Sequence, residues 1–283
     1  MQIGSQAHKI RFCRQFIDTH RQFEPEALAW PALDAAALER MRAVPFWQEV
    51  LHTERRAGAI VRAFAATIAD PLVREAIDLQ GVEEDRHARL IGTMIRRYGL
   101  PAEEQELEPI GPDLDTAFAD FGYGECLDSF LGFGVFKIAR ESEFLPPALF
   151  DIFDTLMLEE TRHIVFFINW MAWHQAARGR GSAWRRALVA GRYYGRAIRR
   201  LVATIRRGRR ENDGRDFSAT QAAVFLDGFT FRRFVEECYA ENARRMADFQ
   251  PELLRPRFLP SLAGAALSGL RLLPSRQPRA ATP

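Results

Sequence analysis

Glu83-Glu84-Asp85-Arg86-His87 and Glu159-Glu160-Thr161-Arg162-His163 are two copies of one pattern, Glu-Glu-x-Arg-His. Each contains Glu-x-x-His, as Glu84/His87 and Glu160/His163. Residues three apart on a helix share a face, so each copy can aim a carboxylate and an imidazole at one point. Two such pairs form the ligand set of a two-metal site buried between helices. The 283-residue chain has only six histidines, and two of them stand in this context.

A single copy would read as a surface glutamate beside a satisfied core histidine. Two copies with matched surroundings favour metal. A di-metal carboxylate bundle takes one further glutamate from each of two other helices. Antiparallel helices with about a dozen residues on each side of the ligand plane predict a gap of roughly 30 residues to that lone glutamate. Glu54 lies 30 residues before Glu84, and Glu125 lies 35 before Glu160. Each interval holds a helix break, Asp70-Pro71 in the first and Pro146-Pro147 in the second. The two halves read as one helical hairpin used twice.

On these residues the chain resembles the ferritin-like di-iron carboxylate superfamily, over about residues 46 to 177. The Glu-Glu-x-Arg-His form is most similar to its oxygen-activating branch, the bacterial multicomponent monooxygenase hydroxylases and the acyl-carrier-protein desaturases. The resemblance implies six metal ligands: Glu54, Glu84, His87, Glu125, Glu160 and His163. It implies two iron ions, with manganese open because carboxylate-rich sites accept both. It also implies O2 as co-substrate and a monooxygenase, desaturase or N-oxygenase reaction on a small organic or carrier-protein-bound substrate. No flavin, nicotinamide or Fe–S motif is evident, so electrons are expected from a separate reductase. The alternative in another class is a non-catalytic ferritin-like metal-binding or storage protein. Four carboxylates carry −4 and two divalent ions +4. Without metal, four ionised carboxylates would repel one another and be poorly solvated.

Neighbours of these residues have readings of their own. A metal-bound histidine usually donates its other N–H to a carboxylate. Glu83 and Glu159 are candidates for that role across the bundle, with Arg86 and Arg162 closing the charge network. Ser129, one helical turn after Glu125, is the candidate catalytic hydroxyl and proton relay. A bond to its own helix backbone is the competing role. Gly122, Gly124, Gly132 and Gly134 cluster around Glu125, where they would serve close approach, a distortion or a cavity wall. Gly58, four after Glu54, would leave room for substrate. Asp128 reads as a polar neighbour or surface group, His174 as a core or rim histidine, and His52 as facing elsewhere. Glu236, Glu237 and Glu241 read as a charged helix face.

The chain reads as all-α, a ferritin-like four-helix bundle with N-terminal helices and a C-terminal helical extension. The expected division is an N-terminal helical segment (1–44), the di-metal bundle (45–177), a basic helical extension (178–250) and a Pro-containing tail (251–283). Bundle helices are expected from about Pro45 to Ala69, from Asp70-Pro71 to Tyr98, from Leu114 to Glu143 and from Pro146 to Ala177. Asp70 is placed as an N-cap with Pro71 at the first helical position. Residues 101–113 form the long crossover between halves.

Composition narrows the rest. Hydrophobic content of 47% and charged content of 27% suit a globular protein. A net charge of +2 marks no whole-molecule nucleic-acid field. Cys13, Cys126 and Cys238 are far apart, which suggests a reducing compartment and no disulfide framework. No secretory signal or spanning run is visible, so the expected location is cytoplasmic, with a peripheral position at the inner face of the membrane open. Oligomeric state is open too, a homodimer being one option.

From Arg178 to Arg210 stand twelve arginines and no acidic residue, interleaved with Trp184, Leu188, Tyr193, Tyr194, Ile198, Leu201 and Ile205. This reads as an amphipathic basic helix. It could solvate the surface, meet an anionic membrane, or dock an acidic carrier protein or reductase. Nucleic acid is the last of these readings. The apolar run Leu259 to Leu273 is too short to span a bilayer and could pack on the bundle or add to a membrane-facing surface.

Overall fold

The computed structural model describes residues 1–44, 46–211 and 230–272. Pro45, the middle of the C-terminal extension (212–229) and the end of the tail (273–283, with Leu273 and Pro274) lie outside the described residues. Among the described residues the chain is helical, with no strand. The helices are α1 (Gln6–Asp18), α2 (Ala35–Ala43), α3 (Trp47–Ala65), α4 (Pro71–Tyr98), α5 (Leu114–Glu141), α6 (Pro147–Ala177), α7 (Ala183–Glu211), α8 (Phe231–Met246) and α9 (Phe258–Leu272).

Local chemistry sets the ends of the central helices. The Asp70 carboxylate accepts from the Leu72 and Val73 amides, and Pro71 fills the first turn of α4, where its missing N–H costs nothing. Gly99 ends α4 in the left-handed region, φ 58°, the conformation glycine adopts without strain. Asp113 caps α5 by accepting from Thr116 at 3.0 Å. Helix α5 stops at Glu141, two residues short of the expected end, and Glu143 turns the chain with φ 49°.

Helix α3 packs on α4, α5 on α6 and α3 on α5, while α4 touches α6. The connections 66–70 and 142–146 are short, which makes each pair an antiparallel hairpin. Two apolar cores fill the assembly. One holds Phe64, Ile77, Phe118, Phe167 and Trp170. The other holds Trp47, Leu90, Met94, Leu149 and Leu156. Helix α4 leaves the first core at Ile77 and enters the second at Leu90; α6 leaves the second at Leu156 and enters the first at Ile164. Between those points lie both Glu-Glu-x-Arg-His segments. The charged residues thus form one layer with apolar packing above and below.

The surrounding helices brace this centre. Helix α1 packs on α4 and α6, with His8 bonded to Asn169 at 3.0 Å and Lys9 paired with Asp70. Helix α8 lies along α5. A Cβ on Gly134 of α5 would stand 2.4 Å from Cys238 Sγ and 2.8 Å from its backbone nitrogen, so this glycine sets the closeness of the two helices. Gly122 does the same for the Phe167 ring. Gly124 and Gly132 face open space. Gly58 departs from expectation: its missing Cβ leaves room for the Asp85 carboxylate, 2.5 Å from where that Cβ would stand, so it makes no space for a substrate. Glu241 departs as well. It is buried with Arg245, which also reaches Asp154 at 2.7 Å, so an ion-pair network replaces the expected exposed face. The three cysteines are free and buried.

Gly134→Ala is expected to destabilise the fold by about 1–3 kcal/mol through overpacking against α8. Gly132→Ala, in open space, is expected to gain up to about 1 kcal/mol from helix propensity. Urea unfolding of the two variants checks this opposite pair of signs.

Candidate metal centre

Four helices each bring an acid to the charged layer: Glu54 from α3, Glu84 from α4, Glu125 from α5 and Glu160 from α6. His87 and His163 stand among them, fully buried, with ring centroids 5.4 Å apart. Their Nδ1 atoms face the carboxylates. His87 Nδ1 lies 3.1 Å from Glu160, 3.5 Å from Glu54 and 3.8 Å from Glu84. His163 Nδ1 lies 3.1 Å from Glu84, 3.5 Å from Glu125 and 3.9 Å from Glu160. Glu84 and Glu160 each turn one oxygen to each histidine, whereas Glu54 faces His87 and Glu125 faces His163. The layer is two half-sites that share two carboxylates.

The other face of each imidazole is fixed from the opposite hairpin. His87 Nε2 meets Glu159 at 3.0 Å, and His163 Nε2 meets Glu83 at 2.8 Å. A carboxylate can only accept, so Nε2 carries the hydrogen and Nδ1 is left to the centre. The arginines repeat the crossing. Arg86 donates to Glu159, and Arg162 donates to Glu83 at 2.7 Å. Each motif therefore supplies a glutamate to the histidine and arginine of the other. Phenylalanine rings from the N-terminal segment cover both guanidinium groups, Phe23 over Arg86 at 4.4 Å and Phe16 over Arg162 at 4.5 Å.

Two groups, the half-buried His20 and the buried Gln80, escape the repeated pattern. His20 Nδ1 lies 2.5 Å from Glu83 Oε1, with no counterpart on Glu159. Gln80 is fully buried and donates to Glu84 at 3.3 Å. Gln80 precedes Glu84 by four residues, so helical spacing could have found it. Nothing local points from His20 to a partner 63 residues away. Of the remaining candidates, Ser129 is buried one turn along α5 from Glu125, and its hydroxyl makes no bond to its own helix. Asp128 is exposed. His174 stacks on Trp170 at 4.6 Å, and its ring is lowered to about 4 mainly by burial.

The crowding of buried acids and imidazoles shifts their proton affinities. Burial pushes Glu54 up to about 7 against the pull of His87. Burial and the charges of Glu84 and Glu160 hold Glu125 well above the usual carboxylate range. Burial would lower both histidines, but the surrounding carboxylates override it and raise them well above 6.5. Burial would raise Glu160, yet the two imidazoles hold it at about 2. Burial opposes ionisation of Glu83 too, and His163 with Arg162 keeps it far below its ordinary value. Without metal, Glu54, Glu125, His87 and His163 all hold protons more tightly than usual, which offsets the crowding of negative charge.

The donor set fits divalent metal. His87 Nδ1, His163 Nδ1 and Glu125 Oε2 are buried with no hydrogen-bond partner, a costly state that a cation would relieve. Donor atoms of Glu84, His87, Glu160 and His163 all lie within 4.8 Å of one another. Imidazole nitrogen with carboxylate oxygen suits first-row divalent ions, and these four residues could hold a metal ion. Comparison with protein-family models, curated proteins and solved structures finds no match to the chain.

Metal uptake must displace the protons named above, so affinity is expected to rise with pH and to fall as the pH drops below about 7, where Glu54 regains its proton. Up to four protons should leave as the centre fills. Metal titration in weakly buffered solution at several pH values reads both. Glu83→Gln keeps every oxygen and nitrogen facing the centre but loses the charge behind His163. It is expected to weaken metal binding about 10- to 100-fold, measured by competition with a chelator.

Proposed function

We propose that the chain is an oxygen-activating di-iron carboxylate oxidoreductase built on a ferritin-like four-helix bundle. The observation that carries this reading is the shared pair: Glu84 and Glu160 each face both histidine Nδ1 atoms, while Glu54 and Glu125 each face one. Such a donor set would suit two ions, with Glu54 and His87 on one side, Glu125 and His163 on the other, and Glu84 and Glu160 facing both. A centre for one ion needs no such duplication.

When bound, a pair of ferrous ions would supply the redox chemistry with O2, and electrons would come from an external reductase. This chain's own residues do the rest. Glu54, Glu84, His87, Glu125, Glu160 and His163 would hold the pair. Glu83 and Glu159 fix the imidazole orientation and keep electron density on Nδ1. Arg86 and Arg162 pair with those two carboxylates and hold them in place. The cores above and below exclude water and strengthen every electrostatic contact in the layer. Ser129 is the candidate proton relay, one turn from Glu125 with its hydroxyl uncommitted to its own helix. The substrate belongs beside Glu125, where Gly124 and Gly132 leave α5 without side-chain bulk. The reaction is expected to be monooxygenation, desaturation or N-oxygenation of a small organic or carrier-bound substrate.

A ferritin-like storage protein would share the donor set, and O2 use tells the two apart. Ferrous-loaded protein with excess reductant and a mediator is expected to consume many equivalents of O2 per iron. Uptake that stops at the loaded iron, with mineral accumulating in a large oligomer, would contradict the enzyme reading. Ser129→Ala is expected to retain metal and lose O2 turnover about 10²-fold or more, the usual contribution of a positioned proton donor.

A further inference from the structure

We propose that the outer face of α7 seats the protein on an anionic lipid bilayer. Helix α7 runs 29 residues, about 40 Å at 1.5 Å per residue. Its inner face is committed to α5. Tyr194 and Ala197 are buried, Tyr193 stacks on Tyr123 at 5.3 Å, and Arg196 and Arg200 both pair with Asp120.

The outer face has a different composition. Arg185, Arg192, Arg199 and Arg206 recur every seven residues, so they form one line along the helix. Arg192, Arg199 and Arg206 have no acidic partner among the described residues, and no acidic residue occurs from Arg178 to Arg210. Beside that line, Trp184 is 60% exposed, Leu188 65% and Val202 39%. The Arg185 guanidinium lies over the Trp184 ring at 5.2 Å. The start of α9 lies on the other side of α7, where Phe258 stacks on the buried Tyr194 at 4.7 Å.

Trp184 and Leu188, one turn apart, place an apolar pair beside the arginine line. Nucleic acid could stack on Trp184 but would leave Leu188 and Val202 without a partner. A bilayer headgroup layer uses both: apolar side chains enter the acyl boundary while arginines meet lipid phosphates. Among the described residues no helix is long and apolar enough to cross a membrane, so the contact is peripheral.

The test is co-sedimentation of the full chain with vesicles of phosphatidylcholine alone or mixed with phosphatidylglycerol. Binding is expected to the mixed vesicles only and to weaken as salt is raised. Removing three arginines in Arg192→Gln/Arg199→Gln/Arg206→Gln is expected to weaken it on the order of a hundredfold, at about fivefold per arginine. Trp184→Ser/Leu188→Ser should weaken it without changing its salt dependence. Far-ultraviolet circular dichroism and iron uptake, both remote from this face, should match the parent in each variant. No sedimentation with anionic vesicles at low salt would overturn the proposal and leave the face to an acidic protein. Equal binding to both vesicle types, or binding unchanged by the arginine substitutions, would overturn it as well.

Discussion

Two crossed hydrogen bonds, His87 to Glu159 and His163 to Glu83, are the constraint on which the rest of the structure depends. Each ties the imidazole of one hairpin to the carboxylate of the other. They lock the register of α4 against α6 and turn both Nδ1 atoms inward. Buried ions are costly unless paired and hydrogen-bonded, and removing one partner of a buried pair typically costs about 3–5 kcal/mol. The crossing meets that condition twice, with Arg86 and Arg162 supplying the remaining charge. Neither hairpin alone could bury its motif in this way, which is a physical reason for the motif to occur in both.

The remainder of the fold serves that layer. Two apolar cores, around Trp170 and around Leu90, enclose it from both ends. Helix α1 and the segment after it close its outer side with Phe16, His20 and Phe23. Arg162 also holds that segment directly, donating to the Phe16 carbonyl at 2.5 Å and to Thr19 at 3.0 Å. Helices α7 and α8 brace α5, the helix that carries Glu125. The inner arginines of α7, Arg196 and Arg200, pair with Asp120, while Arg192, Arg199 and Arg206 have no acidic partner among the described residues.

Much of this was legible from local signals. Asp70-Pro71 and Gly99 mark helix ends because capping chemistry acts within four residues. Glu54 and Glu125 could be set opposite the two Glu-x-x-His pairs because helix rise fixes the length of a hairpin. The apolar residues interleaved among the arginines of α7 announced an amphipathic helix. What escaped was set by tertiary contact. His20 reaches Glu83 across 63 residues, with no pattern to signal it. Gly58 announced a small residue, but only the approach of α4 decides that Asp85 fills the space. Arg245 was within helical spacing of Glu241, but only the packing of α8 on α6, where Asp154 meets Arg245, buries the pair. Gln80 was within reach of helical spacing, since a residue four before Glu84 shares its face.

The central claim is that the two hairpins build one centre for two ions. Crystals loaded anaerobically with ferrous iron, with anomalous diffraction recorded at the iron edge, test it most directly. The account predicts two peaks per chain in the charged layer, one against His87 Nδ1 and one against His163 Nδ1, with Glu84 and Glu160 between them. A single peak, peaks only beside His20, or none in this layer would contradict it.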